Sequence, residues 1–279
     1  MTATHHDLGG VEKPLRLLAR TLHALDIAGI PAVIIGSLSL LEHLPEGLRS
    51  LINTDDADVM VWIASEEAMA ALLSVLKDSL GCKRAPGHPG KWIAREGFLD
   101  VVGRTLPYGQ CGDACFPEPF ANVAFLDVVE PVVIRRAGLL TPLPATTRVA
   151  GALATCLGKT LKVARYLNLE DWPVNVDRQA RAARSLRDIM LLIEANPENF
   201  STEAVRALIY RCRTLDKSVA GTMMRALGAF VNLFGDGRPA FDLAERDGVT
   251  TNTLRVVQEL ARDLEHFNDE YLSTEAGLG

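Results

Sequence analysis

Val33-Ile34-Ile35-Gly36-Ser37, followed at a distance by Thr54-Asp55-Asp56-Ala57-Asp58-Val59-Met60-Val61, is the stretch on which the fold turns. The first segment is apolar and β-branched, and 31–35 reads as a short buried strand. Gly36-Ser37 then turns the chain into a short helix through Leu41. Pro45, Glu46 and Gly47 predict a loop. Residues 56–63 read as a second strand. Side chains alternate along a strand, so Asp56 and Asp58 share one face while Asp55 points to the other.

Outward from this stretch the pattern stays mixed. Leu15, Leu18, Leu22 and Leu25 recur at helical spacing behind Pro14, which predicts a helix over 13–28 that stops at Gly29. Ser65 is a good N-cap for a helix whose apolar positions are Met69, Leu72, Leu73, Leu76 and Leu80, with Gly81 at its end. Residues 92–94 and 98–102 read as a hairpin around Arg95-Glu96-Gly97, with Asp100 inside the second arm. Residues 106–120, rich in Pro and Gly, read as a loop, and 123–125 and 132–134 carry weak strand signals.

Pro142 and Pro144 mark a domain boundary. Beyond them the periodicity predicts helices near 147–168, 178–195, 202–214, 217–234 and 249–271. The expected fold is therefore an α/β (α+β) core with a mixed sheet over 1–143, followed by an all-helical domain over 144–279.

Composition limits the partners. The chain of 279 residues is long enough to bury a sizeable core. No apolar run is long enough to span a bilayer, and residues 1–10 are polar, so the expectation is a cytoplasmic protein without a membrane partner. Its 5 cysteines, an odd number, form no disulfide framework; Cys111 and Cys115 make a lone CxxxC, and reduced thiols are expected. The net charge of −6 is uneven, with a basic middle over 146–236 between acidic flanks. That middle suits a polyanion or is only a solvated arginine-rich surface. Arg178, Arg181, Arg184 and Arg187 spiral around a helix rather than forming one stripe. Residues 241–254 have the rhythm of a helix-turn-helix but are acidic where a DNA reader is basic, so a plain helical hairpin is expected.

The chemistry-bearing residues follow from the strands. Asp56 and Asp58 converge from one strand, and Asp100 can join them from a neighbour. Mg²⁺ takes hard oxygen donors such as these, together with water and phosphate oxygens. Asp100 lies in Phe98-Leu99-Asp100-Val101-Val102, where a lone charge would be costly. Gly36 suits close approach of backbone to a ligand, and a helix starting at Ser37 offers amide groups to phosphate. Each piece has a plainer explanation: solvated loop acids, and an ordinary strand-to-helix turn.

Residues 33–61 resemble the signature of the polymerase-β-type nucleotidyltransferase superfamily: an apolar strand, Gly-Ser, a short helix, then Asp-x-Asp on the next strand. The resemblance covers about the first 105 residues. It implies that Gly36 and Ser37 contact a nucleoside triphosphate, and that Asp56 and Asp58 bind Mg²⁺ or Mn²⁺. Asp100 would be the third carboxylate and a general base. The implied reaction moves a nucleoside monophosphate from an NTP to an RNA end, a protein hydroxyl or a small molecule. Gly158-Lys159-Thr160-Leu161-Lys162 and Arg187-Asp188 are similar to elements of the abortive-infection (AbiE-type) nucleotidyltransferase toxins. That likeness implies nucleotide contacts from Lys159, Lys162 and Asp188, and an antitoxin partner. Two positions, Thr160 and Leu191, depart from it. The plainer alternatives are a helical pair of Asp188 with Arg184 and a solvated lysine face. A non-catalytic nucleotide sensor on the same fold is the rival function.

Overall fold

The computed structural model describes residues 9–103, 114–117, 121–167, 176–215, 217–234 and 251–276. It divides into two compact units, Met1–Gly151 and Ala152–Gly279.

In the first unit, helix α1 (Glu12–Ile27) buries Leu15, Leu18, Leu22 and Leu25 as one stripe, each at most 3% exposed. Fully burying one such leucine stabilises by about 1.5–3 kcal/mol, so α1 is held by packing rather than by its caps. Strand β1 (Ala32–Ile34) leads directly into α2 (Gly36–His43). A single helical turn, α3 (Glu46–Arg49), occupies the stretch expected to be a loop. Strand β2 (Asp56–Val61) follows, then α4 (Glu66–Ser74), which continues as a π-helical turn over Val75–Ser79. Ser65 caps α4 by accepting from the Ala68 amide at 3.2 Å, as its sequence predicts.

Strands β3 (Lys83–Arg84), β4 (Lys91–Ile93) and β5 (Phe98–Gly103) complete one side of the sheet, with β6 (Phe116–Pro117) beside the end of β5. The β4–β5 hairpin forms as expected, and Trp92 is fully buried with its indole N–H donating to the Ala114 carbonyl at 2.8 Å. Arg20 of α1 forms an ion pair with Glu96 in the hairpin turn.

The weak strand signals resolve differently. Residues 121–126 form helix α5 (Ala121–Leu126), and 132–134 fall in the helical turn α6 (Val132–Arg135). Short apolar runs do not separate strand from buried helix by pattern alone. Here the deciding contact is remote: Glu42 of α2 accepts from the Val133 and Ile134 amides at 2.8 and 2.7 Å, capping α6. Strand β7 (Val128–Val129) lies between these helices. The helix expected from 147 instead begins after β8 (Arg148–Ala150), because those three residues pair with both β1 and β7.

The sheet order is β3-β4-β5-β2-β1-β8-β7, with β6 also on β5. It is mixed: β2–β5 and β1–β8 are parallel, while β1–β2, β3–β4, β4–β5 and β7–β8 are antiparallel. One face of β2 and β5 supplies core through Ala57, Val59, Leu99 and Val101, all at most 1% exposed.

The second unit is helical throughout its described residues: α7 (Ala152–Leu167), α8 (Val176–Ala195), α9 (Thr202–Leu215), α10 (Lys217–Phe234) and α11 (Thr251–Ala276). Helix α10 packs on α7, α9 and α11, and its Phe230 and Phe234 rings meet at a tilt with centroids 4.7 Å apart in the core. Among the described residues no helix is long and apolar enough to cross a membrane. The helix-turn-helix-like residues 241–250 lie outside the described residues.

Glu42 satisfies two amides that α6 cannot pair internally. Glu42→Ala is therefore expected to cost about 1–3 kcal/mol. Urea unfolding should show a lower midpoint with an unchanged slope.

Candidate active site

The site is built where β1 hands over to α2 beside β2. Gly36 has φ +70°, a left-handed conformation that a side chain adopts only under strain. It also has no room for one: a Cβ there would lie 2.8 Å from the Asp58 Cβ and overlap its carboxylate. The Ile35 amide donates to the Asp58 carbonyl at 3.2 Å, locking the turn to β2 at this level. So the glycine is required because Asp58 lies directly against it. Ser37 follows in the first turn of α2, half-buried, and the Ser39 hydroxyl donates back to the Gly36 carbonyl at 2.7 Å. Ile35 at the N-cap contributes no side-chain oxygen of its own to this helix start.

The register across β2 and β5 places Asp58 opposite Asp100. Partnered residues of parallel strands share a face, and Asp56 joins them by alternation. All three acids are half-buried, while their neighbours Ala57, Leu99 and Val101 are buried on the other face. The three predicted carboxylates thus come from two adjacent strands and lie on one face beside Gly36. Asp55, on the other face, is exposed.

A lysine joins this face from the next strand. Lys91 pairs with Asp100 in the β4–β5 ladder. Its Nζ lies 3.5 Å from Asp56 Oδ2 and 3.5 Å from Asp100 Oδ1. The ammonium also stands over the Phe98 ring, 4.8 Å from its centroid. A lone lysine on an edge of a hairpin belongs to no motif; only the cross-strand register brings it to the acids.

Gly97 fixes that register from the hairpin side. A Cβ there would approach the Asp55 carbonyl oxygen to 2.8 Å, and the Phe98 amide donates to the same oxygen at 3.4 Å. At the far end of α2, buried His43 contacts the Ala150 carbonyl through Nε2 at 2.7 Å, so Nε2 carries the proton. Burial lowers the His43 pKa, against the opposing pull of that hydrogen bond and of Asp127 and Glu42. Glu42 and His43 together anchor α2, and neither carries a signal in the sequence beyond being polar on an apolar helix.

The donor chemistry suits a hard divalent cation, because three carboxylates share one face with a backbone turn beside them. Side-chain placement is a separate matter. Among the described residues no three His, Cys, Asp or Glu side chains are gathered closely enough to hold a metal ion. Like charges repel, and the Lys91 ammonium stands between Asp56 and Asp100 instead. A cleft of about 390 Å³, lined by Leu22, Ile30, Pro31, Phe125 and Arg148 among others, includes none of the three acids.

No protein-family model matches this chain, and neither does a curated protein. Among solved structures it is similar to the antibiotic-resistance factor ANT(2'')-Ia, whose solution structure is described as revealing substrate-regulated conformation dynamics. The identity is 16%, the match covers 67% of this chain and 92% of that one, and the TM-score is 0.35. At those values the likeness adds nothing to what the site's own geometry carries.

In the helical unit, Lys159 of α7 and Asp188 of α8 bind one another at 2.9 Å, with side chains only 10% and 12% exposed. Arg187 adds a 3.5 Å contact to Asp188. The partner of Asp188 is therefore a lysine on another helix, not Arg184, which is exposed. Lys162 is exposed as well. The side chains of Tyr166 and Arg178 lie outside the described residues. Below Lys159, the Cys156 thiol is pushed up to about 12 by burial. Cys82, Cys115 and Cys212 are also buried cysteines outside any disulfide, and Cys111 lies outside the described residues.

Two outcomes follow. Gly36→Ala should lose about 1–3 kcal/mol from its backbone conformation. Unfolding of the double variant Gly36→Ala/Asp58→Ala should show less than the sum of the two single losses, because the overlap with the carboxylate is then relieved. Lys159→Met should cost about 3 kcal/mol in the same measurement, since it leaves the buried Asp188 with less compensation.

Proposed function

We propose that this protein is a divalent-metal-dependent nucleotidyltransferase that moves a nucleoside monophosphate from an NTP to an acceptor hydroxyl. The observation that carries this reading is the Asp58–Asp100 register pair, with Asp56 on the same face and Asp58 seated on Gly36. A structural salt-bridge cluster would not need a positive-φ glycine pressed against one of its acids.

In this reading Asp56 and Asp58 hold the cation, with Asp100 completing the acidic face. Gly36 and Ser37, at the start of α2, receive the triphosphate on a helix end that favours negative charge. The bound divalent cation, Mg²⁺ or Mn²⁺, supplies charge neutralisation at the phosphates and at the attacking and leaving oxygens. Asp100 accepts the proton of the acceptor hydroxyl. The new bond joins that oxygen to the α-phosphorus, and the bond between the α-phosphorus and its bridging oxygen breaks. Pyrophosphate leaves. Positioning of the two reactants on a rigid sheet face contributes much of the rate, because little covalent chemistry falls to the protein.

Lys159 and Asp188 take a structural role in this reading, holding α7 to α8, and Lys162 remains available on the surface for an anionic group. The acceptor classes that suit the chemistry are an RNA end, a protein hydroxyl and a hydroxylated small molecule.

Asp58→Ala is the sharpest test. Pyrophosphate release from MgATP or MgGTP, measured across the three acceptor classes, should fall at least about 10³-fold while far-UV circular dichroism stays unchanged. Nucleotide binding by the wild type with no pyrophosphate from any acceptor would support a sensor instead.

A further inference from the structure

The acidic face is not left to repel itself. Lys91 reaches across two strands to carboxylates that are not neighbours in sequence, Asp56 and Asp100, at 3.5 Å each. Its side chain is 26% exposed, against 35% and 31% for its partners, so all three are partly screened from solvent. The Lys91–Asp56 contact has hydrogen-bond geometry, and Phe98 supports the ammonium from its ring face. The identity of the residue matters. An arginine would grip a carboxylate with a planar two-pronged fork, whereas lysine is a compact point charge on a flexible stem that can leave.

We infer that Lys91 is a resident counter-ion. It occupies the positive position between Asp56 and Asp100 in the metal-free protein and gives it up when a divalent cation enters. The inference rests on the reading of this face as a metal and nucleotide site. It goes further in naming what the cation must displace. Lys91 and the metal compete for the same oxygens, so the lysine weakens metal binding while stabilising the empty fold. A permanent salt bridge would do neither in a metal-dependent way.

Mn²⁺ alone is the probe, with binding followed by titration calorimetry and folding by thermal unfolding with and without Mn²⁺. Lys91→Met should bind Mn²⁺ about tenfold more tightly than the wild type, the effect of removing one competing charge at partly exposed carboxylates. Its melting temperature should fall in metal-free buffer and recover in saturating Mn²⁺. Lys91→Gln, a polar replacement, should behave the same way and serves if the methionine variant does not fold. Lys91→Arg should restore melting in metal-free buffer without tightening Mn²⁺ binding. Equal or weaker Mn²⁺ binding by the methionine and glutamine variants, beside a wild type that binds, overturns the counter-ion role and leaves the site reading standing. A wild type that takes up no Mn²⁺ overturns the site reading and this inference together.

Discussion

The close seat of Asp58 on Gly36 is the contact from which the rest of the site follows. A carboxylate pressed against a backbone turn excludes every side chain but hydrogen from position 36. It also fixes where β1 ends relative to β2, since the Ile35 amide is bonded to the same residue's carbonyl. Once β2 is set, the parallel pairing to β5 delivers Asp100 beside Asp58 without further design. The hairpin turn at Gly97, packed on the Asp55 carbonyl, keeps that pairing from slipping. A slip of one residue would send Asp100 to the core face and bring Leu99 out.

The energetic cost of such a site is electrostatic. Three acids on one half-buried face repel one another. Proteins tolerate this where the charge is needed. Here the offset comes from Lys91, 3.5 Å from both Asp56 and Asp100, and the rigidity comes from elsewhere. Glu42 and His43 hold α2 by its far end, and α1 holds the sheet by its leucine stripe. Stability therefore sits in the scaffold rather than in the acidic face.

What could be read in the sequence divides along local and non-local lines. The strand, the Gly-Ser turn and the alternation of Asp56 with Asp58 are local patterns, and the structure has them where the pattern puts them. Asp100 was legible because a charge inside an apolar strand needs company. Lys91, Glu42 and His43 were not legible, because each acts on a partner distant in sequence. The apolar runs at 123–125 and 132–134 misled for the same reason. The helical turn at 132–135 is capped by Glu42, some 90 residues earlier. Strand β8 was hidden because three residues carry no periodicity, and only pairing with β1 and β7 defines it. Asp188 has a neighbour at helical spacing, Arg184, but its actual partner comes from α7.

The central claim is that this acidic face gathers around divalent cations beneath a triphosphate held at the β1–α2 turn. A crystal structure with Mn²⁺ and a non-hydrolysable NTP, read by the anomalous signal of manganese, tests it directly. The account predicts a manganese peak coordinated by Asp56 and Asp58, with Asp100 adjoining, Lys91 withdrawn and phosphates over Gly36 and Ser37. Nucleotide density elsewhere, or Lys91 still seated between Asp56 and Asp100 with no metal beside them, would contradict it.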